Sequence, residues 1–140
     1  MKLHWEPVTL DLKTTFRVAH GASDQRHNVL VYLDDGVGEA AAVPYYGETQ
    51  QGIIDYLKSV PDLGDDPFDL DGVLAKRPAG SRAARSAIDE ALYDLWGKKL
   101  GQPLYKLFGL NPNKLPSTSF TIAIDEPEIM AERAKESGYP

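Results

Sequence analysis

From Ser81 to Leu100 the chain reads as one long amphipathic helix, and the other elements have to be arranged around it. Ala84, Ile88, Ala91, Leu92, Leu95 and Trp96 recur at spacings of three and four, which puts them in a single apolar stripe. Ser81 is a natural N-cap, because its hydroxyl can accept from an unpaired N–H of the first turn, and Gly101 stops the run. Within the stripe the alanines allow another backbone to come close, while Ile88, Leu92, Leu95 and Trp96 fill a core.

What precedes this helix reads as a sheet. Leu3, Trp5, Val8, Leu10 and Leu12 alternate with polar residues at the period of a half-buried strand. Val29 to Leu33 is a denser apolar run, Asp34-Asp35-Gly36 supplies a turn, and Val37 to Val43 returns as a third strand of small residues. The polar stretch Ala19 to His27 is expected to be a long loop between the first two strands. After Val43 the period changes. Thr49 caps a helix that carries Ile53, Ile54 and Leu57 and ends before Pro61. A short helix with Phe68, Leu70, Val73 and Leu74 inward is expected between Pro67 and Lys76, and another from Pro103 to Phe108, closed by Gly109. Strands first and helices after is an α+β arrangement, a three-stranded antiparallel sheet followed by a helical bundle.

The last thirty or so residues differ in kind. Leu110 to Pro116 is a loop with two prolines, and Ser119 to Ile124 reads as a strand with Phe120, Ile122 and Ile124 on one face and Ser119, Thr121 and Ala123 on the other. Asp125 or Glu126 caps a helix with Pro127 in its first turn, Ile129, Met130 and Ala134 on its apolar face and Gly138 at its end. One strand and one helix have nothing left to pair with, so further sequence is expected. Two domains follow, residues 1–110 and 111–140.

Composition removes several function classes. The chain has 140 residues, 42% hydrophobic and 26% charged, the balance of one ordinary globular core. It has no cysteine, which rules out disulfides and thiolate metal sites and fits a cytoplasmic location. A formal charge of −6 disfavours a nucleic-acid partner. Lys76, Arg77, Arg82 and Arg85 form the one basic cluster, read as a solvated face. No apolar run has the length of a membrane span, and Met1 to Glu6 lacks the apolar core of a secretory signal. Asp89, Glu90 and Asp94 suggest paired carboxylates for acid–base work. Arg85 and Lys98 stand four residues from Asp89 and Asp94, however, and such pairs favour a structural role.

The segment Ala84-Arg85-Ser86-Ala87-Ile88-Asp89-Glu90-Ala91-Leu92-Tyr93-Asp94-Leu95-Trp96-Gly97-Lys98, continued by Pro103-Leu104-Tyr105-Lys106-Leu107-Phe108-Gly109, resembles the helix signature of the mandelate racemase and muconate lactonizing branch of the enolase superfamily. The order of the elements around it agrees. The resemblance implies an enolase-like N-terminal capping domain joined to the first β/α unit of a TIM-type barrel. It implies proton removal next to a carboxylate through an enediolate held on Mg²⁺, whose charge offsets that of the carbanion. In that branch a Lys-x-Lys pair, a further lysine and three acidic metal ligands lie on later barrel strands, so catalytic and metal residues are expected beyond Pro140 and the 140 residues alone are expected to be inactive.

Two loops of the cap choose the substrate in this family, corresponding here to Phe16 through His27 and to Pro44-Tyr45-Tyr46-Gly47-Glu48. Phe16, His20 and Gly21 align with the part that meets the substrate, and Thr121 with a pocket-facing position. Some relatives that epimerise dipeptides hold a distal carboxylate with an arginine near here; this sequence has His20 and Gly21, with Arg17 and Arg26 close by. Tyr45 and Tyr46 read equally as substrate contacts or as rim aromatics packing the cap. His4, His20 and His27 lack the spacing of metal ligands. The run Phe16 to Ala19 and the run Thr118 to Ile124 most resemble dipeptide epimerases of the L-Ala-D/L-Glu type. A small-molecule substrate, the protein's own barrel domain and homo-oligomeric partners are expected. A muconate-type cycloisomerase or an o-succinylbenzoate synthase is the alternative enzyme, and a non-catalytic binding or assembly module the alternative class.

Overall fold

Two antiparallel ladders build the sheet, in the order β1 (Leu3–Val18), β2 (Gly21–Leu33), β3 (Gly36–Ala40), in a computed structural model that describes residues 1–139. Leu3 pairs with Leu33 at one end of the first ladder and Val18 with Gly21 at the other. The expected loop from Ala19 to His27 is therefore only a two-residue turn, Ala19-His20, and the rest of that polar stretch is strand. The two strands project past the core as a ribbon, so neither face there is buried and the sequence shows no period-two apolar signal. Leu12 to Thr15 lie opposite the single residue Asp24, a bulge that bends the ribbon.

The helices are α1 (Gln50–Ser59), α2 (Leu70–Ala75), α3 (Arg82–Leu100), α4 (Leu104–Leu107) and α5 (Pro127–Ser137), of which α1 and α3 pack on the sheet, with a 3₁₀ turn at Pro44–Tyr46 and another at Pro112–Lys114. The caps read from the sequence are in place: Thr49 accepts from the Gly52 N–H, and Ser81 from the Ala84 N–H. Val29, Val31 and Leu33 of β2 meet Ile53 and Leu57 of α1 and Ala84, Ile88, Ala91, Leu92 and Leu95 of α3, all at most 1% exposed. Each large side chain so buried contributes about 1.5–3 kcal/mol. Trp96, expected in this core, is only half-buried and joins Tyr93 and Phe108 in a small aromatic cluster beside it.

β3 and α3 approach unusually closely, and glycine permits it. A Cβ on Gly36 or on Gly38 would stand 2.0 Å from the carbonyl oxygen of Ala91 or of Ala87. The sequence reading gave Gly36 to the turn, but the positive φ there belongs to Asp34, and Gly36 is needed for the helix contact. The same approach explains the acidic residues of α3. Glu90 accepts from the Glu39 N–H (3.0 Å) and Asp94 from the Val37 N–H (2.8 Å), so two carboxylates satisfy the outward donors of an edge strand. Asp94 also pairs with Lys98 at 2.7 Å. The expected Arg85–Asp89 pair does not form; Arg85 Nε and Asp89 Oδ1 are both buried without a hydrogen-bond partner.

Beyond Leu110 the chain leaves the core. Ser119–Ile124 is not a strand, because no neighbour among the described residues offers a ladder; Ala123 is buried and Ile122 half-buried, but Phe120 is 55% and Ile124 47% exposed. A backbone bond from the Ile124 N–H to the Arg17 carbonyl (2.9 Å) ties the segment to β1. α5 forms with Pro127 at its start and Gly138 at its end, as expected, but none of its residues is buried. Pro140 lies outside the described residues. Among the described residues no helix is long and apolar enough to cross a membrane.

Candidate functional site

A groove of about 1290 Å³ opens between the tip of the β1–β2 ribbon and the start of α1. Its walls come from two segments far apart in sequence. Phe16, His20, Gly21 and Arg26 stand on the ribbon, while Val43, Tyr45 and Glu48 come from the segment around the 3₁₀ turn. The turn is tight because Gly47 takes a φ of 76°, a left-handed value open to glycine, and its N–H donates to the Pro44 carbonyl at 2.9 Å.

The two walls touch through aromatic rings. His20, at the ribbon tip, stacks on Tyr45 with ring centroids 4.4 Å apart and 20° between planes. Tyr46 meets Tyr45 edge-on at 5.1 Å. Aromatic pairs of these geometries contribute about 0.5–1.5 kcal/mol each beyond the area they bury. On the ribbon the Arg26 guanidinium lies 5.6 Å over the ring of Phe16, a cation–π contact that holds a positive charge in the groove.

The floor is fixed by polar side chains that the sequence did not flag. Asn28, 6% exposed, donates to Glu39 Oε1 (2.6 Å) and accepts from the Ala42 N–H (3.2 Å), which sets where the chain leaves β3. Gln50 donates to the Asn28 carbonyl at 2.9 Å. An asparagine at the head of an apolar strand was the available signal, since a buried amide needs partners. Glu48 is tied to α3 by hydrogen bonds from Ser81 and from the Arg82 and Ala83 N–H groups. Burial pushes its carboxyl up, but those three bonds and the Arg82 charge outweigh it and hold Glu48 below the usual glutamate range.

Of the residues singled out in the sequence, the structure gathers Phe16, His20, Gly21 and Tyr45 around the groove. Tyr46 lines a neighbouring cavity instead, and Thr121, exposed on the segment beyond Leu110, lines neither. Among the described residues no three His, Cys, Asp or Glu side chains come together to hold a metal ion. The arrangement is an open groove lined by stacked aromatics, one arginine and scattered carboxylates.

Comparison with known proteins agrees with this geometry. Residues 5–109 match the family model for the mandelate racemase / muconate lactonizing enzyme N-terminal domain. The chain belongs to that family. It is 40% identical over 144 residues to the L-Ala-D/L-Glu epimerase of Bacteroides thetaiotaomicron, a match covering 97% of this chain and 38% of that protein. Among solved structures it resembles the dipeptide epimerase of Enterococcus faecalis complexed with Mg and L-Leu-L-Tyr, at a TM-score of 0.80 and 31% identity, over 96% of this chain and 41% of that one. The dipeptide epimerase of Methylococcus capsulatus complexed with Mg and L-Arg-D-Lys matches at a TM-score of 0.82 and 28% identity, over 97% and 42%. The chain thus spans about two fifths of the length of the relatives it matches. The α+β capping architecture of an enolase-superfamily N-terminal domain is the fold of this family member.

Proposed function

We propose that this chain is the capping, substrate-selecting part of a Mg²⁺-dependent racemase or epimerase, and that the substrate is a dipeptide. The observation that carries the reading is the two-walled groove, bridged by the His20–Tyr45 stack, in a chain 40% identical to a dipeptide epimerase. The described residues do not fit a Mg²⁺ site, so the ion and the base that takes the α-proton are assigned to a barrel domain on further polypeptide. The reaction is inversion at the α-carbon of the second residue: a proton leaves one face and a proton returns to the other, with no net oxidation.

The part this chain plays is recognition. Phe16 and Tyr45 offer flat apolar surface to a side chain, Arg26 offers a positive charge, and the His20–Tyr45 stack bridges the two walls. Thr121 is assigned to the barrel side of the same pocket, and Tyr46 to the support of Tyr45. The test is α-proton exchange in D₂O with Mg²⁺, run on the full-length protein against a panel of dipeptides that includes L-Ala-L-Glu and hydrophobic pairs. Deuterium entering the second residue of at least one dipeptide is expected. Exchange into none of them removes the dipeptide assignment.

A further inference from the structure

One side chain, Glu48, ties the second wall of the groove to α3. Tyr45 and Tyr46 are 65% and 74% exposed, so burial does not fix the Pro44–Tyr46 turn. Beneath the turn, facing α3, lies a cavity of about 660 Å³ bordered by Tyr46, Gly47, Glu48, Gly80 and Arg82, so little packs against it from that side. The link across this gap is polar. Glu48 Oε2 accepts from the Ser81 hydroxyl at 2.7 Å, and Oε1 accepts from the N–H groups of Arg82 (2.7 Å) and Ala83 (3.2 Å).

Ser81 already caps α3 through the Ala84 N–H at 3.1 Å, and Glu48 supplies the acceptor for the two N–H donors before it, from 34 and 35 residues away in sequence. Its own N–H closes the turn on the Val43 carbonyl at 3.3 Å, and its neighbour Thr49 begins α1. Glu48 is thus where the aromatic turn, the start of α1 and the start of α3 are joined. A carboxylate at a helix N-terminus is favoured by the unpaired N–H groups and by the helix dipole.

We propose that Glu48 is a positioning residue, a latch that fixes the Pro44–Tyr46 turn to the N-terminus of α3 and so sets Tyr45 over His20 at the mouth of the groove. The latch deepens the reading of this groove as the substrate site and rests on it. Losing the latch frees the turn without touching the groups that move the proton, so the effect falls on substrate binding.

The test uses the full-length enzyme with Glu48→Ala, Glu48→Gln, Tyr45→Ala and the Glu48→Ala/Tyr45→Ala double variant. Two readouts are taken: steady-state kinetics on a dipeptide substrate, and the NMR shifts of the His20 ring protons, which the stacked Tyr45 ring displaces. Glu48→Ala is expected to raise KM about tenfold with kcat little changed. It should also move the His20 protons toward those of an unstacked histidine. Glu48→Gln, which keeps one acceptor oxygen, restores part of both effects. The double variant is no worse than Tyr45→Ala alone, because both changes remove one contact. Unchanged His20 shifts in Glu48→Ala overturn the latch, and so do losses that add in the double variant. Should Glu48→Ala fail to fold, Glu48→Gln decides by the same shifts. If the wild-type enzyme exchanges no dipeptide, the substrate assignment alone fails and the His20 shifts still decide the latch.

Discussion

Replacing Gly38 with alanine tests how β3 and α3 fit together, and the structure allows the cost to be worked out. The added Cβ would stand 2.0 Å from the Ala87 carbonyl oxygen, 2.9 Å from its carbon and 3.0 Å from the Ala91 nitrogen, all backbone atoms that cannot rotate away. A relaxed carbon–oxygen contact needs about 3.3 Å, so strand and helix must separate by roughly 1.3 Å. Overpacking of this kind costs about 1–3 kcal/mol, and more where backbone must move. The separation also stretches the Glu90–Glu39 and Asp94–Val37 hydrogen bonds, each contributing about 0.5–1.5 kcal/mol. Alanine recovers about 0.4–1 kcal/mol by restricting the unfolded chain. The balance is a loss of about 3 kcal/mol, within a range of about 1–5.6. Urea unfolding followed by tryptophan fluorescence and circular dichroism should show the midpoint falling by about 1–2 M at unchanged slope. Val37→Ala, at the exposed neighbouring position, should move it by less than about 0.3 M. A Gly38→Ala midpoint within about 0.3 M of the wild type would refute the close-contact reasoning.

Other consequences are open to direct measurement. Glu90→Ala and Asp94→Ala should each lower stability by about 1 kcal/mol and speed amide exchange selectively at Glu39 and Val37, the donors they accept from. Tyr56→Phe removes the hydroxyl that donates to the Pro78 carbonyl at 2.7 Å and should cost about 1 kcal/mol by chemical denaturation. Glu48 sits below its ordinary value of 4.5 in the folded chain. Its stabilising effect is therefore full above that value and is lost as pH falls through the lower folded one. The stability difference between wild type and Glu48→Gln should be flat from neutral pH to about 5.5 and shrink on further acidification; a difference that grows in acid would reverse the assigned sign.

Local chemistry made much of the fold legible in the sequence. Thr49, Ser81 and Gly101 mark helix ends because capping depends on neighbours in the chain, and the stripe on α3 is a periodicity of the chain itself. The ribbon is hidden in the sequence for the converse reason. Residues 22–27 pair with β1 but bury little, so the pattern that reveals a strand is missing. Gly36 reads as a turn residue and Gly38 as one of several small strand residues until the helix is laid across them. Ser119 to Ile124 has the composition of a strand, yet a strand also needs a partner to bond with. Of the groove, Phe16, His20, Gly21 and Tyr45 are picked out by family resemblance. The His20–Tyr45 stack and the Glu48 tie join positions 25 and 33 residues apart, and no local pattern encodes them.

The account stands on a division of labour, in which this chain selects the substrate and proton transfer is carried out elsewhere. The most direct measurement is kcat and kcat/KM of the full-length enzyme for two dipeptides differing in their second side chain, in the wild type and in Phe16→Ala and His20→Ala. The ratio of kcat/KM between the two dipeptides should shift about tenfold while kcat on the better one is largely kept. A kcat lowered by about 10³ or more with the ratio unchanged would place a catalytic group on this chain and contradict the account.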